Sequence, residues 1–273
     1  MRDRVVLGSA LAVLLLAALA ALFGPLVAPY DPGAQNLDLG PTGPSAGHWL
    51  GTDELGRDIA SRLLAGAGTA LWGPVVGAVG TTVLGTALGL AAGYYRGWTD
   101  AILMRVTDLM IALPGLLVLV VLVGVVGGGY VWAVAALIVL SAPNDVRVIR
   151  SLVFAQRDLA YVEAARTLGL RSGRIMFRHI LPNLAPTVLA NLLLTFVAAL
   201  VALSGLSFLG IGLPPGTPDW GLMIEENRRL LDLNPWASLA PAILITVAAT
   251  AATLLGDGIF DRLSAKGTQR AGD

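Results

Sequence analysis

The sequence predicts an all-α integral membrane protein with six transmembrane helices. Three observations carry that reading. First, 56% of the 273 residues are hydrophobic, 33 glycines come on top, and only 13% are charged, where a soluble domain carries about 25%. The mean hydropathy is +0.76. Too little polar surface remains for a soluble globular protein, which excludes a soluble enzyme, a disordered chain and a nucleic-acid-binding module. Second, six apolar runs have the roughly 20 residues needed to cross a hydrocarbon core about 30 Å thick. Third, the basic residues gather in alternate connections between those runs.

The first run, 5–27, contains no charge. Arg2 and Arg4 precede it, as they would in a cleaved signal peptide. Signal h-regions run about 7–15 residues, so the length favours an uncleaved span. The next runs are 69–94, 102–126, 131–149, 184–211 and 236–260. The second carries Gly73, Gly77, Gly80, Gly85, Gly89 and Gly93. Small residues at such spacings let helices approach closely in lipid, and packing is the expected role.

Orientation follows from lysine and arginine in the connections. With the N-terminus inside, the inner segments 1–4, 95–105, 147–183 and 261–273 hold 14 of the 18 basic residues. The outer segments 28–68 and 212–235 hold only Arg57, Arg62, Arg228 and Arg229, beside nine acids. Both termini are therefore expected in the cytoplasm.

The outer segment 28–52 is punctuated by Pro29, Pro32, Pro41 and Pro44 and reads as an extended loop. Residues 53–65 place Leu55, Ile59 and Leu63 at helical spacing, a short amphipathic helix for the outer membrane surface. The segment 213–235 opens with Pro214, Pro215 and Pro218, then carries Trp220, Leu222, Met223, Leu230 and Leu231, a short or re-entrant helix. Its acids Asp219, Glu225 and Glu226 make it a candidate extracytoplasmic docking surface. Trp49, Trp98, Trp132, Trp220 and Trp236 fall near expected interfaces, as an aromatic belt should.

Few groups suit chemistry. There is no cysteine, and His48 and His179 are the two histidines. No disulfide or thiolate site can form, and no metal site is expected. No Gly-x-x-x-x-Gly-Lys-Ser/Thr phosphate loop occurs, so this chain is not an ATP-binding subunit. Within the spans, Asn144 and Asp145 near the inner end of the fourth are candidates for a path or gate, because an ionisable group in a membrane is functional by default. Arg147 and Arg150 follow within a turn, and an ion pair at the cytoplasmic end is the competing, favoured reading; Asp108 beside Arg105 reads the same way. Asp257 stands at the inner end of the sixth span. Asn191, Thr195 and Ser204 on the fifth could line a path for a polar solute, or bond between helices.

The longest inner connection, 147–183, reads as two short helices. Asp158 is placed to cap the first, Gly169 to end it in a left-handed conformation, Ser172 to cap the second, and Pro182 to break the chain before the fifth span. Glu163 precedes Arg166 by one turn, a spacing that permits an ion pair. A loop that alternates apolar and basic residues on short helices suits a docking surface for a cytoplasmic partner.

Glu163-Ala164-Ala165-Arg166, then Gly169, then Leu181-Pro182 resembles the EAA motif of bacterial ABC importer permeases. The usual isoleucine two residues before Leu-Pro is replaced by His179, with Ile180 adjacent, and the form Phe-Arg-His-Ile-Leu-Pro-Asn at 177–183 is similar to the dipeptide, oligopeptide and nickel permeases. The stretches 48–58, 88–114, 206–221 and 254–263 agree, so the resemblance covers nearly the whole chain and looks like the second permease subunit of such a system.

The resemblance implies a type I ABC importer permease fold: a first helix and extracytoplasmic loop at 1–68, a permease core at 69–265, and a cytoplasmic tail at 266–273. It implies half of a translocation path, shared with a sister permease in the inner membrane. Two ATPase subunits would bind ATP and Mg, an extracytoplasmic binding protein would deliver solute, and this chain would hold no cofactor. The segments around Gly169 would be coupling helices. Short peptides are the expected cargo, with nickel or another solute as the alternative. A secondary transporter would need a membrane-embedded ion site, for which Asp145 is the one deep acid; an intramembrane enzyme would need paired catalytic groups the sequence lacks.

Overall fold

The computed structural model describes residues 2–270, with side chains from 5 to 260. The end of the expected tail lies outside the described residues, as do the side chains of Arg2, Arg4, Arg262, Lys266 and Arg270. Apart from an isolated β-bridge between Thr52 and Asp58, the regular structure described is helical. Ten α-helices follow in order: α1 Arg2–Val27, α2 Ile59–Tyr95, α3 Gly97–Ile111, α4 Gly115–Val126, α5 Gly129–Arg157, α6 Ala160–Thr167, α7 Ser172–Ile175, α8 Leu181–Phe208, α9 Trp220–Asn227 and α10 Trp236–Arg270. Five continuous helical segments are long and apolar enough to cross a membrane; a sixth crossing exists only if α3 and α4 count together.

Two expected elements are corrected. The short surface helix at 53–65 is not separate: Asp58 caps α2, accepting from the Ser61 N–H, and the helix then runs 37 residues, about 55 Å. Gly66 and Gly68 do not interrupt it; they allow close approach, since a side chain would meet the Asp219 backbone at Gly66 and the Ala21 carbonyl at Gly68. The third span is broken where one helix was expected at 102–126. Pro114 has no N–H to give and drives Leu113 out of helical geometry, so α3 and α4 bend by 79°.

Helix α2 is the centre of the bundle. Its glycine face lies on α5 in a matched i, i+4 register: a Cβ at Gly85, Gly89 or Gly93 would stand 2.3, 2.7 or 2.6 Å from the Cβ of Asp145, Ile149 or Val153. Side chains there would force the helices apart, so backbone contact replaces side-chain interdigitation. Helices α1, α8 and α10 complete the packing around α2. Much apolar surface stays exposed, including Leu16, Leu22, Val83, Val125 and Val131, as a chain solvated by hydrocarbon requires. One end of the bundle carries the 28–58 loop and α9; the other carries the α5–α6 corner.

Candidate functional site

The α5–α6 corner is built on apolar contact. Val162 and Ala165 of α6 are buried in a cluster with Leu90 and Tyr94 of α2 and Ile149 and Val153 of α5. Glu163, Ala164, Arg166 and Thr167 are left on the exposed face. The helix stops in a Schellman motif: the Gly169 N–H bonds the Arg166 carbonyl at 2.9 Å and the Leu170 N–H bonds the Ala165 carbonyl at 3.2 Å. Gly169 has φ +74°, as its position predicted, with open space around it. Leu168, beside it, is 79% exposed, an apolar tip that sequence reading passed over.

Four details of this corner differ from expectation. Asp158 does not cap α6; Leu159 holds that position without a side-chain bond. Two arginines draw Asp158 away instead, Arg157 Nε donating at 3.0 Å and Arg96 at 3.2 Å. The hydrogen bond from Arg157, with the nearby Arg96 and Arg166 charges, holds its carboxyl below the ordinary range. Ser172 does not cap α7 but is its first residue, after Arg171. Pro182 does not break the chain. A π-turn at Met176–Ile180 carries α7 into α8, and the Leu181 N–H reaches the Met176 carbonyl; this wider turn spares Arg178 the clash a proline causes four residues on. Leu181 and Pro182 thus open α8. Finally, Arg166 lies over the Tyr94 ring at 5.2 Å rather than pairing with Glu163.

A second group sits within the spans. Asp145 is 5% exposed. It accepts from Thr82 of α2 at 3.2 Å and from Thr195 of α8 at 3.3 Å, so one carboxyl joins three helices. Asn191 stands beside it. The ion pair expected between Asp145 and Arg147 or Arg150 does not form. Those arginines point to α3: Arg147 pairs with Asp108 and Arg150 with Asp100. Asp108 therefore takes Arg147, not Arg105. Asn144 is exposed on the other side of α5, and Asp257 is exposed on α10. Ser204 lies apart from the Asp145 group, its carbonyl against Gly221 of α9.

At the opposite end, the 28–58 loop is fastened to α9. Arg57 Nε donates to Asp53 at 2.6 Å, and Arg57 and Arg62 donate to the same Glu226 oxygen at 3.0 and 3.1 Å. The other Glu226 oxygen accepts from the Gly216 N–H at 2.6 Å. Arg62 is fully buried and also reaches the carbonyls of Pro32 and Gly216. Two of the acids expected to dock a partner are engaged in bonds within the chain. Asp219 is buried as the cap of α9, accepting from the Gly221 and Leu222 N–H groups, and Glu226, half-buried, has both oxygens in bonds to Arg57, Arg62 and Gly216. Glu225 remains half-buried near Arg228. Trp220 likewise leaves the aromatic belt: it is buried and donates to the Leu63 carbonyl at 3.0 Å. Alternating charges at 53–62 next to an apolar helix were the one signal for this cage in the sequence.

The fold and the two polar ends define a class: a multi-pass helical membrane protein with an exposed short helix at one end. Residues 85–266 match the family described as binding-protein-dependent transport system inner membrane component, and residues 9–41 match the N-terminal transmembrane domain of oligopeptide transport permease C. The chain belongs to this family of ABC transporter permeases, which are transport subunits rather than enzymes. It is 37% identical over 269 residues to the glutathione transport system permease protein GsiD of Pectobacterium atrosepticum, covering 97% of this chain and 88% of that one. It is 35% identical over 248 residues to the dipeptide transport system permease protein DppC of Alkalihalophilus pseudofirmus, covering 91% and 82%.

Proposed function

We propose that this chain is one of two permeases in an ATP-driven importer of short peptides, and that α6 is where an ATPase subunit docks. The observation that carries the docking reading is the outward face of α6: a helix anchored by Val162 and Ala165, stopped by Gly169, and presenting Glu163, Ala164, Arg166 and the exposed Leu168. An exposed leucine ringed by polar groups suits a groove in a partner. The relatives that transport glutathione and dipeptides support a peptide cargo.

In this reading the α5–α6 corner and both termini are cytoplasmic, as the 14-to-4 division of basic residues favours. A sister permease covers the exposed faces of α4 and α5, two ATPase subunits supply ATP and Mg chemistry, and a binding protein approaches the 28–58 loop and α9. ATP-driven closure then moves α6 and the spans between two states with different partner contacts.

The test is reconstitution of this chain with its sister permease, ATPases and binding protein in vesicles. Uptake of labelled dipeptide or glutathione that stops with an ATPase inhibitor is expected. Uptake by this chain alone, or uptake driven by an ion gradient without ATP, would overturn the reading. Nickel uptake without peptide uptake would replace the cargo.

A further inference from the structure

Where α2 ends and α3 begins, Arg96 has φ +55° and ψ −164°, and it is the one non-glycine residue among those described with positive φ. Glycine occupies such backbone without strain; an arginine held there is fixed by its surroundings. Its side chain makes two contacts, of which the ion pair lies at the exposed surface. The guanidinium donates to Asp158 at 3.2 Å and lies 5.1 Å from the centre of the Phe154 ring. Asp158 is the hinge residue between α5 and α6, and Phe154 lies one turn before it.

The α2–α3 turn and the α5–α6 turn therefore meet at this side chain, beside the buried contact of Val162 and Ala165 with Leu90 and Tyr94. Arg157 reinforces the meeting by donating to the Tyr94 carbonyl at 2.7 Å. Beyond the turn, α3 leads into the 79° bend before α4. An arginine is an expensive choice for the backbone; its side chain supplies a charge for Asp158 and lies as a second flat cation by Phe154, whose ring Arg150 approaches more closely, at 4.3 Å.

We propose that Arg96 is a positioning residue that transmits movement of α6 to the α3–α4 arm. The proposal rests on the docking reading of α6. When a partner displaces α6, Asp158 moves with it, and Arg96 carries that displacement into the turn from which α3 starts.

The chain contains no cysteine, so a pair introduced as Ala101→Cys on α3 and Thr167→Cys on α6 is its sole thiol pair. Spin labels on that pair, in the assembled complex with cysteine-free partners, report the α3–α6 distance before and after trapping with ATP and vanadate. The distance is expected to shift in the chain with Arg96. Arg96→Gly keeps the backbone conformation and removes the side chain; the shift should shrink, the buried contacts of α6 with Leu90 and Tyr94 carrying the rest, while the ATPases stay bound and continue to hydrolyse ATP. Asp158→Asn should reduce the shift, and Arg96→Lys, which restores the charge, should recover part of it. A full shift in Arg96→Gly, with the ATPases bound, would overturn the role of Arg96. Failure of a cysteine at Ala164 to cross-link to an ATPase in the chain with Arg96 would instead overturn the docking reading beneath it.

Discussion

Arg62 and Glu226 are 164 positions apart in sequence, and their guanidinium and carboxylate meet at 3.1 Å with Arg62 fully buried. The pair ties the start of α2 to the end of α9. Arg57 shares the Glu226 oxygen, and Asp53 balances the second positive charge, so the cage is neutral and each ion is held by another. Because Glu226 is also clipped to the Gly216 N–H, the proline-rich entry to α9 is fixed by the same carboxylate.

Breaking this cage on one side should be far worse than removing it from both. Arg62→Met leaves Glu226 facing Arg57 alone, and Glu226→Leu leaves two buried guanidinium groups with one acid. Glu226→Leu, which takes from the fully buried Arg62 its nearest acid, is expected to cost about 3–5 kcal/mol, the usual penalty for breaking a buried pair, and Arg62→Met, which leaves Glu226 its bonds to Arg57 and Gly216, should cost less. Membrane abundance and the thermal unfolding midpoint in detergent should both fall. The double variant leaves Arg57 paired with Asp53 and should recover most of the loss. Equal stability in the single variants and the parent would remove the cage from the account of the fold.

The α2–α5 contact has a sharper size limit. A Cβ at Gly85 would stand 2.3 Å from the Cβ of Asp145, so even Gly85→Ala demands that the helices separate. Overpacking of this kind costs about 1–3 kcal/mol. Gly124→Ala on α4 meets nothing within 4 Å and is the matched control. Thermal unfolding in detergent should separate the two; equal midpoints would mean that α2 and α5 are not in backbone contact.

For Asp145 the expected outcome is modest. Its bonds to Thr82 and Thr195 are interhelical hydrogen bonds, which average about 0.6 kcal/mol in membranes. Asp145→Asn retains an acceptor and should change the unfolding midpoint little, with transport kept. Lost transport at unchanged stability would return Asp145 to a role in the path.

Much of this architecture is legible in sequence because hydrocarbon imposes one rule on every span: roughly 20 apolar residues with charges at the ends. The glycine face of α2 and the stop at Gly169 were equally readable, since only glycine meets their steric demands. What escaped was partner choice. Arg147 faces α3 rather than Asp145, Asp158 closes α5 rather than opening α6, and Asp219 and Glu226 point inward. A charge on a sequence has a position but no direction, and long-range pairs such as Arg62 and Glu226 leave no local trace. The break at Pro114 was visible as a proline in an apolar run, yet Pro74, Pro143 and Pro241 lie inside continuous helices. Proline alone does not separate a break from a tolerated insertion.

The docking reading stands or falls on Gly169 and Glu163. At Gly169 a new side chain would meet nothing within 4 Å, so the penalty comes from φ +74° alone. For Gly169→Val that strain is about 1–3 kcal/mol, confined to the end of α6. The spans should insert normally, because Val162 and Ala165 still anchor the helix from the other face. What should fail is the placement of Leu168 and Leu170, which the Schellman bonds set. Gly169→Asn, tolerated in left-handed backbone, should keep much of the activity. Glu163→Lys reverses the charge of an exposed position that has no ion pair among the described residues; Arg166 is turned to Tyr94. It should therefore leave stability unchanged and act only through a partner. The measurements are membrane abundance, ATPase co-purification and ATP-driven uptake for all three. Normal abundance with lost uptake in Gly169→Val and Glu163→Lys is expected, and normal uptake in both would reduce α6 to a connector.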